Sequence, residues 1–128
     1  MDGKGQLKLP SGVINVDYGW KARAANGPGT SPEELIAAAH AGCFSMALSH
    51  ILSTAGHVPT KINTSAAVSF EKQGDGFAIT KIVLKTEGQV PGIDEKAFKE
   101  AADKAKAGCP VSKALSSVPI SLEAKFVK

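Results

Sequence analysis

The chain contains two cysteines, Cys43 and Cys109, and a thiol can do three different things in a protein. It can be a small buried hydrophobe, a metal ligand or a redox-active nucleophile. Cys109 precedes Pro110, which favours the first turn of a helix, so its sulfur would lie near unpaired backbone N–H groups that lower a thiol pKa. Because the cysteines are far apart in the sequence, their spacing does not say whether they meet. All three interpretations remain open from the residues alone.

Three histidines, His40, His50 and His57, extend the list of possible metal ligands. His40 and Cys43 are spaced i,i+3, which places them on one face of a helix. Together with Cys109 they make three candidate ligands, fewer than a structural zinc site uses. A Cys/His metal site is therefore an alternative hypothesis, and no metal or organic cofactor is expected. The sequence has no Cys-x-x-Cys pair, P-loop, Gly-x-Ser-x-Gly or His-Glu-x-x-His motif.

Length and composition predict that residues 1–128 form one soluble globular domain. Apolar residues make up 43% of the 128 positions and charged residues 21%, and the net charge is +3. Aromatic residues are only 5% and the basic residues form no run, so no nucleic acid partner is expected. The sequence contains no unbroken apolar run of about eighteen residues, so no membrane-spanning helix is expected. The N-terminus has no apolar signal-peptide segment, so a cytoplasmic location with reduced thiols is expected.

A long central helix is the clearest predicted element. Ser31 and Glu34 form a capping box around Pro32, and the helical run continues from Leu35 to Ala55, with Gly56 as its C-terminal cap. The first half of this run has few polar residues on any side, which is typical of a helix in a protein interior. We therefore expect this helix to be wrapped by a sheet or by another chain.

The remaining pattern predicts an α+β fold. Alternating apolar positions or turn residues predict strands over 13–18, 61–70, 77–86 and 119–126, and helices over 94–107 and 109–116. Gln73–Gly76 is a hairpin turn, which makes the strands on either side antiparallel. Gly19 and the 26–29 cluster predict a flexible connection before the central helix.

Four segments carry a family resemblance: Thr30–Met46, Phe77–Ile82, Val90–Asp94 and Ala105–Ser112. They resemble the OsmC branch of the OsmC/Ohr hydroperoxide reductase family, and the likeness extends over about residues 3–127. The resemblance implies a thiol peroxidase of oxidative and osmotic stress defence that reduces organic hydroperoxides, and hydrogen peroxide less well. Cys43 would attack the peroxide, and Cys109 would convert the resulting sulfenic acid into a disulfide. Arg23 would activate Cys43, and Glu33 would orient Arg23. An outside dithiol would then reduce the Cys43–Cys109 disulfide.

The resemblance also implies an intertwined homodimer with antiparallel sheets around long central helices, lacking the family's usual first N-terminal strand. Glu33 and Cys43 are ten residues apart on one predicted helix, about 15 Å along its axis. A site that uses both therefore needs Arg23 to reach between them, or parts from two subunits. The alternative function is a non-enzymatic dimeric binding module that holds an apolar ligand between its helices.

Overall fold

The structure, a computed structural model, describes residues 3–25 and 27–128. Strands and helices follow one another in an α+β order, which confirms the predicted fold class. The strands are β1 (Lys4–Lys8), β2 (Asn15–Gly19), β3 (Lys61–Gln73), β4 (Gly76–Gln89) and β5 (Ile120–Val127). The helices are α1 (Trp20–Ala24), α2 (Pro32–Thr54), α3 (Glu95–Gly108) and α4 (Pro110–Ala114).

Helix α2 begins and ends where the capping residues predict. The Ser31 hydroxyl oxygen accepts a hydrogen bond from the Glu34 backbone N–H at 3.2 Å, and Pro32 is the first helical residue. Gly56 follows the helix with φ at +90°, a conformation that a residue with a side chain rarely adopts. The 23 residues of α2 give a rod about 35 Å long that can carry groups far apart along one axis.

The larger sheet has the order β3–β4–β5 and supports α2 and α3 on one face. β3 and β4 form the expected antiparallel hairpin, with Gln73 opposite Gly76 and Gly74 at a φ of +60° between them. β5 pairs parallel with β4, so this sheet is mixed rather than wholly antiparallel. Parallel neighbours need a crossover connection, and here α3 and α4 form it. The core between sheet and helices contains Phe44, Leu48, Leu52, Leu84, Val90, Phe98, Ala101, Ala102, Ala105 and Cys109.

The N-terminal region contains two elements that the sequence patterns did not predict. β1 pairs antiparallel with β2 in a separate two-stranded sheet, and β2 begins two residues later than the expected strand. The short helix α1 follows β2 directly, where a flexible connection was expected. Asn26, part of that expected connection, lies outside the described residues. α1 and β1 are too short to give a periodic signal, which is why the patterns missed them.

One side of α2 remains uncovered within the chain. Its buried residues face the sheet and α3, whereas Ala38, Ala39, Gly42 and Met46 are exposed, and Met46 keeps 75% of its surface. By length and composition alone α2 also resembles a membrane span, contrary to the expectation from apolar runs, but a central helix of a folded domain has the same properties. The prediction that a sheet or another chain wraps this helix is therefore met within the chain on one side of α2 only.

Candidate active site

The two cysteines, distant in sequence, meet in the fold. Cys43 lies in the middle of α2, and Cys109 is the residue between α3 and α4. Their Sγ atoms are 2.9 Å apart and both are free thiols. Cys109 is fully buried, whereas Cys43 is only partly buried. Cys43 is therefore accessible to a small reactant, whereas Cys109 is shielded from solvent.

The surroundings of the two sulfurs affect their acidity in opposite directions. Burial raises the pKa of Cys43, and the adjacent Cys109 raises it further. Burial also acts to raise the pKa of Cys109, but hydrogen-bond donors outweigh it and place that pKa below its ordinary value. The donors to the Cys109 thiolate are the Cys43 thiol, the Ser112 N–H and hydroxyl, and the Val111 N–H. Burial and the neighbouring thiol thus oppose ionisation of Cys43, which a nearby cation would favour.

A second buried contact lies beside the cysteines. His40 is one turn before Cys43 on α2, and its Nε2 is 2.7 Å from the Ser112 hydroxyl oxygen on α4. His40 is fully buried and Ser112 is 6% exposed. Burial lowers the pKa of His40, so its imidazole is neutral at neutral pH. The contact therefore joins α2 to α4 through a neutral hydrogen bond at the level of the thiols.

Arg23 and Glu33 form an ion pair at the start of α2. Arg23 Nε lies 2.8 Å from Glu33 Oε1 and 3.2 Å from Oε2, and Nη2 lies 2.8 Å from Oε1. The Glu33 side chain is 7% exposed and that of Arg23 is 36% exposed. Glu33 also stands in the first helical turn, where the helix dipole favours a carboxylate. The carboxylate thus holds the guanidinium in one orientation.

An aromatic cluster supports the same guanidinium from β3 and β4. The Arg23 Cζ lies 4.4 Å from the centre of the Phe70 ring, a cation–π contact. Phe70 stacks on Phe77 with ring centres 5.0 Å apart, and Trp20 meets Phe77 edge-on at 5.3 Å. Phe77 is half exposed. Arg23 therefore lies against an apolar surface that is open to solvent on one side.

The chain assembles the four predicted site residues as two separate pairs. Arg23 contacts Glu33 and Phe70, while Cys43 contacts Cys109. Glu33 and Cys43 are both on the continuous helix α2, so they are separated by about 15 Å along the helix axis, as the sequence predicts. The first turn is regular, which removes the possibility that an irregular start brings Glu33 closer. A site that needs both pairs requires a long reach by Arg23 or a second subunit.

The metal-site hypothesis finds no support. No group of three His, Cys, Asp or Glu side chains with metal-binding geometry occurs in residues 3–25 and 27–128. His40 directs its Nε2 to Ser112 rather than sharing a centre with the thiols. Sequence reasoning missed the contacts of Ser112 and Phe70. Ser112 follows Cys109 by one helical turn, a spacing that could have indicated proximity, whereas nothing in the sequence links Phe70 to Arg23.

Comparison with known proteins agrees with the motif resemblance. Residues 25–123 match the family model described as OsmC-like protein. Peroxiredoxin OsmC of Escherichia coli (strain K12) is 56% identical over 116 residues, which are 90% of this chain and 81% of that protein.

Solved structures share the fold. The crystal structure of the organic hydroperoxide resistance protein OhrB of Bacillus subtilis superposes with a TM-score of 0.72 at 29% identity and covers 98% of both chains. An organic hydroperoxide resistance protein OsmC from Legionella pneumophila superposes with a TM-score of 0.75 at 21% identity over 98% of this chain and 96% of that one, a likeness of fold alone. Sequence motifs, paired cysteines and family model agree, and the chain belongs to the OsmC family.

Proposed function

We propose that this protein is a thiol-dependent peroxidase that reduces organic hydroperoxides to alcohols. The observation that carries the proposal is the 2.9 Å separation of the Cys43 and Cys109 sulfurs, one partly open and one buried. Its curated relatives are named peroxiredoxin OsmC and organic hydroperoxide resistance protein, which supports the same activity. None of the relatives supports the alternative of a non-enzymatic binding module.

The reaction runs in three balanced steps. The Cys43 thiolate attacks one peroxide oxygen, the O–O bond breaks, and the alkoxide takes a proton to leave as alcohol. Cys43 is then a sulfenic acid. Cys109 attacks the Cys43 sulfur, the S–S bond forms and the S–O bond breaks, so the oxygen leaves as water. An external dithiol finally exchanges with the disulfide, restoring both thiols and becoming a disulfide itself.

We assign Arg23 as the cation that activates Cys43 and Glu33 as the residue that orients Arg23. Burial and Cys109 hold the pKa of Cys43 above its ordinary value, so the attacking thiolate needs a positive charge. A guanidinium remains charged and can donate to both a thiolate and a peroxide oxygen. The aromatic cluster beside Arg23 would receive the carbon tail of an organic substrate, since apolar surface gains from burial.

We further propose that the complete site forms in a homodimer, with the Arg23–Glu33 pair of one subunit beside the cysteines of the other. Two observations support this. The two pairs are separated along α2, and the exposed side of α2 around Met46 is apolar and uncovered within the chain. Burying such a helix face against a second copy removes apolar surface from water.

We place this enzyme in the cytoplasm as a soluble protein. α2, the only apolar helix long enough to span a membrane in the part of the chain described, packs on β3 and α3 and begins with the buried Glu33 carboxylate. A cytoplasmic dithiol would keep the cysteines reduced between turnovers.

Intact mass of the reduced protein, before and after one equivalent of an organic hydroperoxide without reductant, tests the activity. The expected result is the loss of two hydrogens per chain, as the thiols become a disulfide. Cys43→Ser should show no change, and Cys109→Ser should gain one oxygen on Cys43. No mass change in the parent chain would contradict the peroxidase function. A gain of oxygen without hydrogen loss in the parent would contradict the role of Cys109.

A further inference from the structure

His40 and Ser112 are buried polar groups beside the cysteines, and the steps above do not use them. The His40 Nε2 lies 2.7 Å from the Ser112 Oγ, and both side chains are nine-tenths or more buried. Ser112 is three residues after Cys109, one turn along α4 from the sulfur that contacts Cys43. The hydrogen-bonded pair therefore lies one helical turn from the thiol assigned to the second chemical step.

The environment of the imidazole determines which ring nitrogen carries the hydrogen. In the described part of the chain, His40 Nδ1 is buried without a hydrogen-bond partner. A neutral imidazole has one N–H, and a buried donor without an acceptor is costly. Placing the hydrogen on Nε2 avoids that cost and lets Nε2 donate to the Ser112 oxygen. The Ser112 hydroxyl hydrogen is then free to point away from His40.

We propose that His40 and Ser112 are positioning residues for disulfide formation, in which His40 Nε2–H donates to Ser112 and directs the Ser112 hydroxyl hydrogen to the Cys109 sulfur. This inference rests on the proposed function, because it specifies how the resolving thiol of that reaction is prepared. Cys109 releases its proton and is held as a thiolate by the hydroxyl. It attacks the Cys43 sulfenic sulfur, the S–S bond forms as the S–O bond breaks, and the hydroxide combines with the released proton to give water.

Several charged groups surround this pair, and they define what a test must hold constant. Among residues 3–25 and 27–128, the titratable side chains hydrogen-bonded to Cys109 or Ser112 are Cys43 and His40, both from α2. Asp103 and Lys106 of α3 and Lys113 of α4 line the same surface cavity as Ser112. None of these three residues is altered in the variants below, so their electrostatic effect on Cys109 is the same in parent and variant.

The first experiment titrates Cys109 alone in a Cys43→Ser background, by thiolate ultraviolet absorbance against pH. Ser112→Ala should raise the pKa of Cys109 by about one unit, because it removes a donor to the thiolate. Ser112→Thr keeps a hydroxyl and should restore the parent value. Ser116→Ala, an exposed serine near the same helix, is the matched control. An unchanged pKa of Cys109 in Ser112→Ala would overturn the proposal. If Ser112→Ala acted only by disturbing the local structure, Ser112→Thr would not restore the pKa of Cys109.

The second experiment follows the chain with both cysteines after rapid mixing with an organic hydroperoxide. Ser112→Ala should slow conversion of sulfenic acid to disulfide about tenfold below the pKa of Cys109, and the pH profile of that step should move upward by the same shift. His40→Leu should slow it less, since an undirected hydroxyl remains. His57→Leu, beyond the C-terminal end of α2, is its control. A parent chain that forms no disulfide refutes the proposed function, whereas equal disulfide rates in parent and Ser112→Ala refute only this inference.

Discussion

Replacing Arg23 with lysine tests whether the orientation of the guanidinium, and not only its charge, drives the attack on peroxide. Arg23 makes three close contacts with the Glu33 carboxylate, two through Nε and one through Nη2, and its Cζ lies 4.4 Å from the centre of the Phe70 ring. A lysine ammonium is a single donor centre on a flexible stem and cannot reproduce this planar arrangement. The charge survives in Arg23→Lys, but its fixed direction does not.

The magnitude follows from the contacts that are lost. A hydrogen bond to a charged group contributes about 1.5–3 kcal/mol when it is sheltered from water. The Arg23 side chain is 36% exposed, so solvent screening reduces the loss to about 1–2 kcal/mol. If the same contacts hold Arg23 at the transition state, peroxide attack should slow about five- to thirtyfold.

The assay is the second-order rate of Cys43 oxidation by an organic hydroperoxide, combined with a double-mutant cycle. Glu33→Gln alone should slow the reaction similarly. Arg23→Lys combined with Glu33→Gln should be little worse than either change, since both disrupt the same Arg23–Glu33 interaction. Lys21→Ala, which removes the neighbouring exposed cation, is the control and should leave the rate unchanged. Full activity in Arg23→Lys, or an equal loss in Lys21→Ala, would refute the assignment of Arg23.

Two further predictions concern assembly and pH. Met46→Glu places a charge on the exposed apolar side of α2, so sedimentation velocity should show monomers in place of dimers, and turnover should fall in parallel. Met46→Leu should change neither the oligomeric state nor the turnover. A dimeric Met46→Glu protein would contradict the proposed interface. Burial lowers the pKa of His40, so the unfolded chain binds more protons and the free energy of unfolding should fall as pH drops below about 6.5, by at most about 1.4 kcal/mol per pH unit. Denaturant unfolding at several pH values should show a shallower fall for His40→Gln than for His50→Gln, and identical slopes would contradict the buried, neutral histidine.

The elements with local signals were predictable from the sequence. The Ser31 cap, Pro32 and Gly56 marked both ends of α2, because capping depends on a few adjacent residues. The β3–β4 hairpin followed from alternation on both sides of a glycine turn. The family motif identifies Cys43 and Cys109 as candidate reactive cysteines, but only the fold brings their sulfurs together.

The rest depends on contacts between residues distant in the chain. Nothing local to β5 distinguishes parallel from antiparallel pairing, since its alternation is the same in both. The Phe70 ring beneath Arg23 depends on how the β3–β4 hairpin lies against α1, which no residue pattern encodes. The i,i+3 spacing of His40 and Cys43 suggests a metal ligand, whereas the actual partner of His40, Ser112, lies across the fold.

The crossover between β4 and β5 also has a consequence for the reductant. Because Cys109 lies in this connection, 66 positions after Cys43, the disulfide closes a long loop and removes about 4 kcal/mol of conformational entropy from the unfolded chain. Linkage is reciprocal, so a fold stabilised by the disulfide makes that disulfide harder to reduce by the same amount, about 90 mV in a two-electron couple. The strand order thus helps to determine how low a reduction potential the regenerating dithiol must have.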